Sequence, residues 1–198
     1  MTYNEETGVY TVTLSEFDTV CQSLGENTVE TAYKFNITEI DSIESLTEAV
    51  INCPCYCDLS HTTLPSDNTY LLKVFFNCVK LVKSPIIPDG VTNLAWAFRG
   101  CTNLKEVPII PDSVTNLGQA FRDCVNITEV PFISNNVTNF LNAFSGCANL
   151  KQVTIDFNET ATMEGTFSGC SNLERIYLFD DNLTKARALV AAVESGIL

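Results

Sequence analysis

The sequence predicts an α/β solenoid, a short strand-and-turn unit stacked along the chain. Three observations predict it. Cys78, Cys101, Cys124, Cys147 and Cys170 recur every 23 residues with no insertion between them. Each opens the same phrase, as in Cys101-Thr-Asn-Leu104-Lys-Glu-Val107 and Cys124-Val-Asn-Ile127-Thr-Glu-Val130. Phe98, Phe121, Phe144 and Phe167 each stand three residues before the next Cys. A fixed period in the twenties means one supersecondary unit that cannot bury its apolar face alone and must stack on its neighbours.

The elements follow in chain order. Residues 1–52 break the period but are well patterned. Tyr10, Val12 and Leu14 alternate as a strand. Ser15-Glu-Phe-Asp18 reads as a capping box, and Phe17, Val20, Cys21 and Leu24 line one helix face up to Gly25. Val29, Thr31, Tyr33, Phe35 and Ile37 alternate again. Asp41-Ser-Ile-Glu44 starts a second helix with Ile43, Leu46, Ala49 and Val50 inward. This β-α-β-α run is expected to be an N-terminal α/β cap. It would cover the first edge of the stack, where unpaired strand groups invite aggregation.

The repeats run over 53–178. The sets Leu104, Val107, Ile109; Ile127, Val130, Phe132; Leu150, Val153, Ile155; and Leu173, Ile176, Leu178 share one spacing, with Leu81, Ser84 and Ile86 in the same slots. The last two positions of each set alternate, so they are expected on the buried face of a short strand. Pro88-Asp89-Gly90, Pro111-Asp112-Ser113 and Ser134-Asn135-Asn136 read as exit turns. Val91, Val114 and Val137 follow, then Leu94, Leu117, Phe140 and Met163, then Ala97, Ala120, Ala143 and Thr166. That stretch is too short for a long helix, so a helical or 3₁₀ turn is expected on the convex side. At the far end Asp181 can cap a helix carrying Leu183, Ala186, Val190 and Val193, stopped at Gly196. Residues 179–198 are therefore expected to form a C-terminal capping helix.

The phrase Ile110-Pro-Asp-Ser-Val-Thr-Asn-Leu-Gly-Gln-Ala-Phe-Arg-Asp-Cys-Val-Asn-Ile127 resembles the unit of BspA-like, or Treponema-type, leucine-rich repeats, in five copies. Cys57-Asp-Leu-Ser-His-Thr-Thr-Leu64 looks like the strand segment that precedes such repeats. The resemblance implies a leucine-rich repeat right-handed superhelix forming a single domain over 1–198. It also implies a non-enzymatic protein-binding module, because the family's members look like bacterial and protist surface proteins, many of them adhesins. The expected place is the cell surface or outside the cell. An intracellular interaction scaffold and a carbohydrate-recognising module are the alternatives.

Composition bounds the rest. Hydrophobic residues make up 45% of 198, which argues against disorder. No apolar run approaches the roughly 18 residues of a membrane span. The opening Met-Thr-Tyr-Asn-Glu-Glu does not read as a secretory leader. Net charge is −13, and residues 1–75 hold 12 acidic against 2 basic residues. Such a surface repels a phosphate backbone, so the expected partner is a protein and not nucleic acid. Five Asn-x-Ser/Thr sequons, at Asn36, Asn126, Asn136, Asn158 and Asn182, are read mainly as a by-product of the repeat.

Nine cysteines cannot all pair within one chain, and a ladder of buried thiols is the expected role of the repeat five. Cys53-Pro-Cys55-Tyr-Cys57 with His61 nearby has the residue types of a zinc site. Along an extended strand, however, residues two apart on one face lie about 6.5–7 Å apart, so three sulfurs would span about 13 Å. Only a bend at Pro54 would bring them together. The expectation is core thiols and no metal or other cofactor. Asp58, Ser60 and His61 are neighbours in sequence, which does not make a triad. No nucleotide-binding or metalloprotease motif occurs, so no catalytic residue is assigned.

The concave strand face is the expected binding surface. One column reads Lys83, Glu106, Glu129, Gln152, Arg175, and the next Pro85, Pro108, Pro131, Thr154, Tyr177. A third reads Ile87, Ile110, Ile133, Asp156, Phe179. The isoleucines either form an exposed apolar stripe or turn inward with the exit turn. The candidate binding residues are Lys83, Glu106, Glu129, Gln152 and Arg175, with Pro108, Pro131 and Ile110 as an apolar floor. Trp96 stands on the convex turn, where packing against a neighbouring turn is favoured over anchoring a partner.

Overall fold

The structure, a computed structural model, describes residues 1–156, 158 and 160–178, the side chain of Pro131 excepted. The expected closing helix, Phe179 and the Asn182 sequon lie outside the described residues. Strands β1 (Thr2–Asn4) and β2 (Val9–Thr13) pair antiparallel. Helix α1 (Leu14–Leu24) follows, then β3 (Tyr33–Thr38), α2 (Ile43–Asn52), β4 (Cys57–Asp58) and β5 (Leu81–Lys83). These strands form one sheet in the order β1-β2-β3-β4-β5, parallel from β2 onward. The amino-terminal sheet therefore runs directly into the first repeats.

The helix starts follow from side-chain chemistry. The capping box sits at Thr13 and Glu16, two residues earlier than Ser15: the Thr13 N–H donates to the Glu16 carboxylate at 3.0 Å. Leu14 is thereby the first helical residue and not the end of a strand. In α2 the Ser42 hydroxyl accepts from the Ser45 N–H at 3.0 Å, satisfying a free helix donor. Phe17 from α1 meets Phe35 from β3 edge-on at 4.9 Å. Ile37, Leu46 and Val50 complete a buried layer beneath the two helices.

Beyond β5 equivalent residues stack. Strands β6 (Glu129–Ile133), β7 (Gln152–Ile155) and β8 (Arg175–Leu178) pair in parallel. Leu81, Leu104, Ile127 and Leu150 form one fully buried column. Phe75, Phe98, Phe121, Phe144 and Phe167 form another, each ring stacked on the next at 5.4–5.9 Å. The repeat cysteines lie beside them. The Cys101, Cys124, Cys147 and Cys170 thiols donate to the carbonyls of Phe75, Phe98, Phe121 and Phe144 at 2.9–3.1 Å. Each coil is tied to the one before it by a buried thiol.

The convex segment is a series of single turns with 3₁₀-type bonds, not a continuous helix. Leu94, Trp96, Phe98 and Gly100 donate their N–H groups to Asn116, Gly118, Ala120 and Arg122 of the next coil at 2.8–3.0 Å. The residues between them, Ala97, Arg99 and Cys101, bond back three places. Alternate donors point along the stack because each turn holds two left-handed residues four apart. Trp96 (φ 61) and Gly100 (φ 76) are such a pair, as are Asn142 (φ 52) and Gly146 (φ 77). Left-handed residues interrupt a right-handed helix and redirect its donors. The backbone groups are then satisfied between coils instead of within one.

A second correction concerns the strand face. Ile109 was expected in the core but is 87% exposed, while Ile86 is 50% and Phe132 40% exposed. Their neighbours Ile87 and Ile133 are buried, and Ile110 packs against the core. The cause is the proline at 85, 108 and 131. Where Thr154 stands instead, Ile155 follows Val153 by two and is buried. With proline the buried residue comes three after the valine, and Ile133 pairs with Ile155 across a register shift. Proline has no N–H for the ladder: at Pro131 the strand bulges by one residue and the side chains after it change face, while around Pro108 no strand forms and the same shift of faces is seen.

Candidate functional site: a proline-edged strand face and a thiol cluster

The face that the bulge creates has two parts. The first is the polar column, whose neighbours the structure joins in pairs. Lys83 forms an ion pair with Glu106 at 3.1 Å, and Gln152 donates to Glu129 at 2.8 Å. Arg175 stands in register beside Gln152. Glu106 accepts a hydrogen bond from the Lys83 ammonium and holds its pKa above the ordinary value. The pair is exposed and worth about 0–1 kcal/mol, so it sets direction and charge more than stability.

The second part is apolar: Pro108 lines it as expected, but its isoleucine is Ile109, one residue before the expected Ile110. Ile86 and Ile109, with Pro85 and Pro108, line a shallow groove of about 330 Å³ bordered by Glu106 and Asp89. Phe132 continues the same column one coil on. Ile110 supports this floor from below and is not its surface. The Pro131 side chain lies outside the described residues. The signal for Ile86, Ile109 and Phe132 was present in the three aligned prolines, each one residue before them.

Trp96 is packed, not free. It lies between the Arg99 guanidinium at 4.4 Å and the Lys73 ammonium at 5.2 Å, with Phe76 at 6.3 Å. Asn126 and Asn136 donate from their amides to the Thr102 and Asp112 carbonyls of the preceding coil, both at 2.9 Å. Those two sequon asparagines are structural parts of the repeat. The Asp58 carboxylate accepts from the Ser60 N–H and hydroxyl at 2.9 and 2.6 Å, while His61 is exposed.

The Cys53-Pro54-Cys55 segment is bent and precedes β4, so strand spacing does not separate its sulfurs. Cys53 Sγ lies 3.3 Å from both Cys21 Sγ and Cys55 Sγ. The partner that sequence spacing missed is Cys21, which α1 carries in from 32 residues away. Among the described residues these three are the one group of metal-ligating side chains that converges. His61 takes no part in it. Interaction with the Cys21, Cys55 and Cys57 thiols lowers the Cys53 pKa, while interaction with Cys53 and then burial raise that of Cys57.

Comparison with known proteins places the chain by its repeats. The BspA type leucine rich repeat region family matches residues 72–189 in six copies. A crystal structure of a leucine-rich cell surface protein from Faecalibacterium prausnitzii A2-165 is similar at 24% identity and a TM-score of 0.55. The similarity covers 64% of this chain and 33% of that one, so the chain spans about a third of that protein's length. That likeness shows the fold. The Treponema pallidum leucine-rich repeat protein matches at 16% identity and a TM-score of 0.38, over 96% of this chain and 91% of that one. No curated protein matches. No helix among the described residues is long and apolar enough to cross a membrane.

Proposed function

The chain belongs to the BspA-type leucine-rich repeat family, and on that premise we propose that it is a non-enzymatic protein-binding module of adhesin type, acting at a cell surface or outside the cell. The observation that carries the reading is the exposed column Ile86, Ile109 and Phe132 beside the Lys83–Glu106 and Glu129–Gln152 pairs. Apolar side chains fixed on a stacked backbone lose little freedom when covered, so their burial goes into affinity. The charged column beside them selects among partners by complementarity. The cell-surface character of the Faecalibacterium protein supports the location.

The proposed architecture is one domain over 1–198, a right-handed stack with residues 1–52 as its α/β cap and 179–198 as its closing helix. The sheet that continues from β3 through β4 into β5 supports the amino-terminal cap. A second reading, an intracellular scaffold, is favoured by one observation: all nine cysteines are free thiols, as in reducing compartments.

The test is capture of proteins from an intact-cell surface extract and from a cytosolic extract on the immobilised chain. Glu106→Arg with Glu129→Arg places like charges beside Lys83 and removes the acceptor of Gln152. Loss of one captured protein with this pair, and its retention by Trp96→Ala, is the expected result. Loss with Trp96→Ala alone moves the site to the convex turns, and a partner found only in cytosol favours the scaffold.

A further inference from the structure

We propose that Cys21, Cys53 and Cys55 form a binding site for one thiophilic metal ion of the zinc class. The site lies outside the repeats, between α1, the end of α2 and the bend at Pro54. Its thiols behave unlike those of the repeats. Cys101, Cys124, Cys147 and Cys170 each donate to a backbone carbonyl of a neighbouring coil. Cys21, Cys53 and Cys55 also face one another: Cys53 Sγ, besides its 3.3 Å contact with the Cys55 carbonyl, lies at the centre of two 3.3 Å sulfur contacts.

The dimensions fit. Thiolates bound tetrahedrally at a zinc–sulfur distance of about 2.3 Å lie about 3.8 Å from each other. Two of the sulfur separations here are 3.3 Å and the third is no more than 4.8 Å, close to that spacing. Shifts of a few tenths of an ångström make room for the ion. Cys57 is buried but its thiol donates to the Lys80 carbonyl at 3.8 Å, so the fourth position falls to a water molecule or another incoming donor.

The electrostatics fit as well. Cys21 lies in the last turn of α1, and Cys53 is the carboxyl-terminal cap of α2. Both helices thus aim the negative ends of their dipoles at the cluster, and neither has a basic residue in its last turn. A cation is the complement of that arrangement. Binding replaces protons by metal: one Zn²⁺ and three thiols give three bound thiolates and three released protons. No oxidant or reductant is needed.

The test uses the full chain, reduced and stripped with a chelator that is then removed. Zinc added to it is expected to bind one per chain and to release about three protons into weak buffer at neutral pH. Cobalt(II) in its place is expected to show strong thiolate-to-metal charge-transfer absorption. Cys53→Ser should weaken uptake by about a hundredfold or more, beyond what loss of a supporting neighbour costs. Cys124→Ser, equally buried but in the repeat ladder, should leave uptake unchanged. The proton count and the cobalt spectrum need only the unaltered chain, so a poorly folded variant does not decide the matter. Absence of zinc uptake overturns the proposal. It does so whether thiol titration in denaturant finds nine free thiols or finds two lost to a disulfide that reductant restores. Undiminished uptake by Cys53→Ser overturns it too.

Discussion

At residue scale the decisive group is the proline at 85, 108 and 131. Lacking an N–H, it adds one residue to the strand exit and exchanges the faces of the next two side chains. Ile133→Ala is therefore expected to cost about 2–5 kcal/mol, as for a filled core position. Ile109→Ala, 87% exposed, should stay within about 0.5 kcal/mol. Urea midpoints of the two variants check this, and a large loss at Ile109 would restore the simple strand template. The columns Leu104, Val107 and Phe98 were legible because periodic apolar residues have only one place to go in a stack. Ile109 and Phe132 were not, because the spacing template assumes a strand without a bulge. The same kind of step hid the Cys21 contact. Distance along an extended strand was the right physics for the wrong backbone, and Cys21 belongs to a helix 32 residues away.

At the scale of the single coil, stability comes from a stacked Phe, a buried thiol and a turn with two left-handed residues. Gly146 sits at φ 77, and a Cβ there would meet Asp123 Oδ1 of the preceding coil. Gly146→Ala is expected to cost about 1–2 kcal/mol from backbone conformation alone, read from thermal unfolding; a neutral result would mean that the turn is free to rearrange. The thiols give the coil a pH dependence. Burial pushes Cys78 up to about 12 and Cys170 up to about 11, and holds Cys101 and Cys124 well above the ordinary thiol value. Thiols of the unfolded chain ionise near pH ~8.5. Their contribution is thus complete below that pH and is lost as pH rises toward 11–12, where the unfolded chain has already released protons that the fold retains. Denaturant titrations at pH 7, 9 and 10.5 should give falling stability, less steeply in Cys124→Ala. A flat profile would mean that the thiols ionise freely. At the same scale the short convex turn was legible but its left-handed positions were not, since a left-handed Trp or Gln has no signature in composition.

For the molecule over its described residues, coils tied to one another by backbone, thiol and ring contacts make an ordered face carried by a five-stranded and a three-stranded sheet. The sheet continuing from β1 to β5 gives that face a fixed start. That order is what lets a few exposed side chains act together, because they are held in place before any partner arrives. The excess of acidic over basic residues, a net −13, is concentrated in residues 1–75 and leaves the strand column with mixed charge. Partners with a matching mixed surface are favoured over polyanions. The most direct test of this account is the affinity of a captured protein partner for the triple variant Ile86→Ser, Ile109→Ser and Phe132→Ser, measured by calorimetry. All three side chains are exposed, so the fold should survive with an unchanged melting temperature. Affinity is predicted to fall at least tenfold, about 1.4 kcal/mol, the loss expected when central apolar anchors of an interface are cut back. Unchanged affinity in the triple variant, with the fold intact, would contradict the account and take the binding face away from the proline edge.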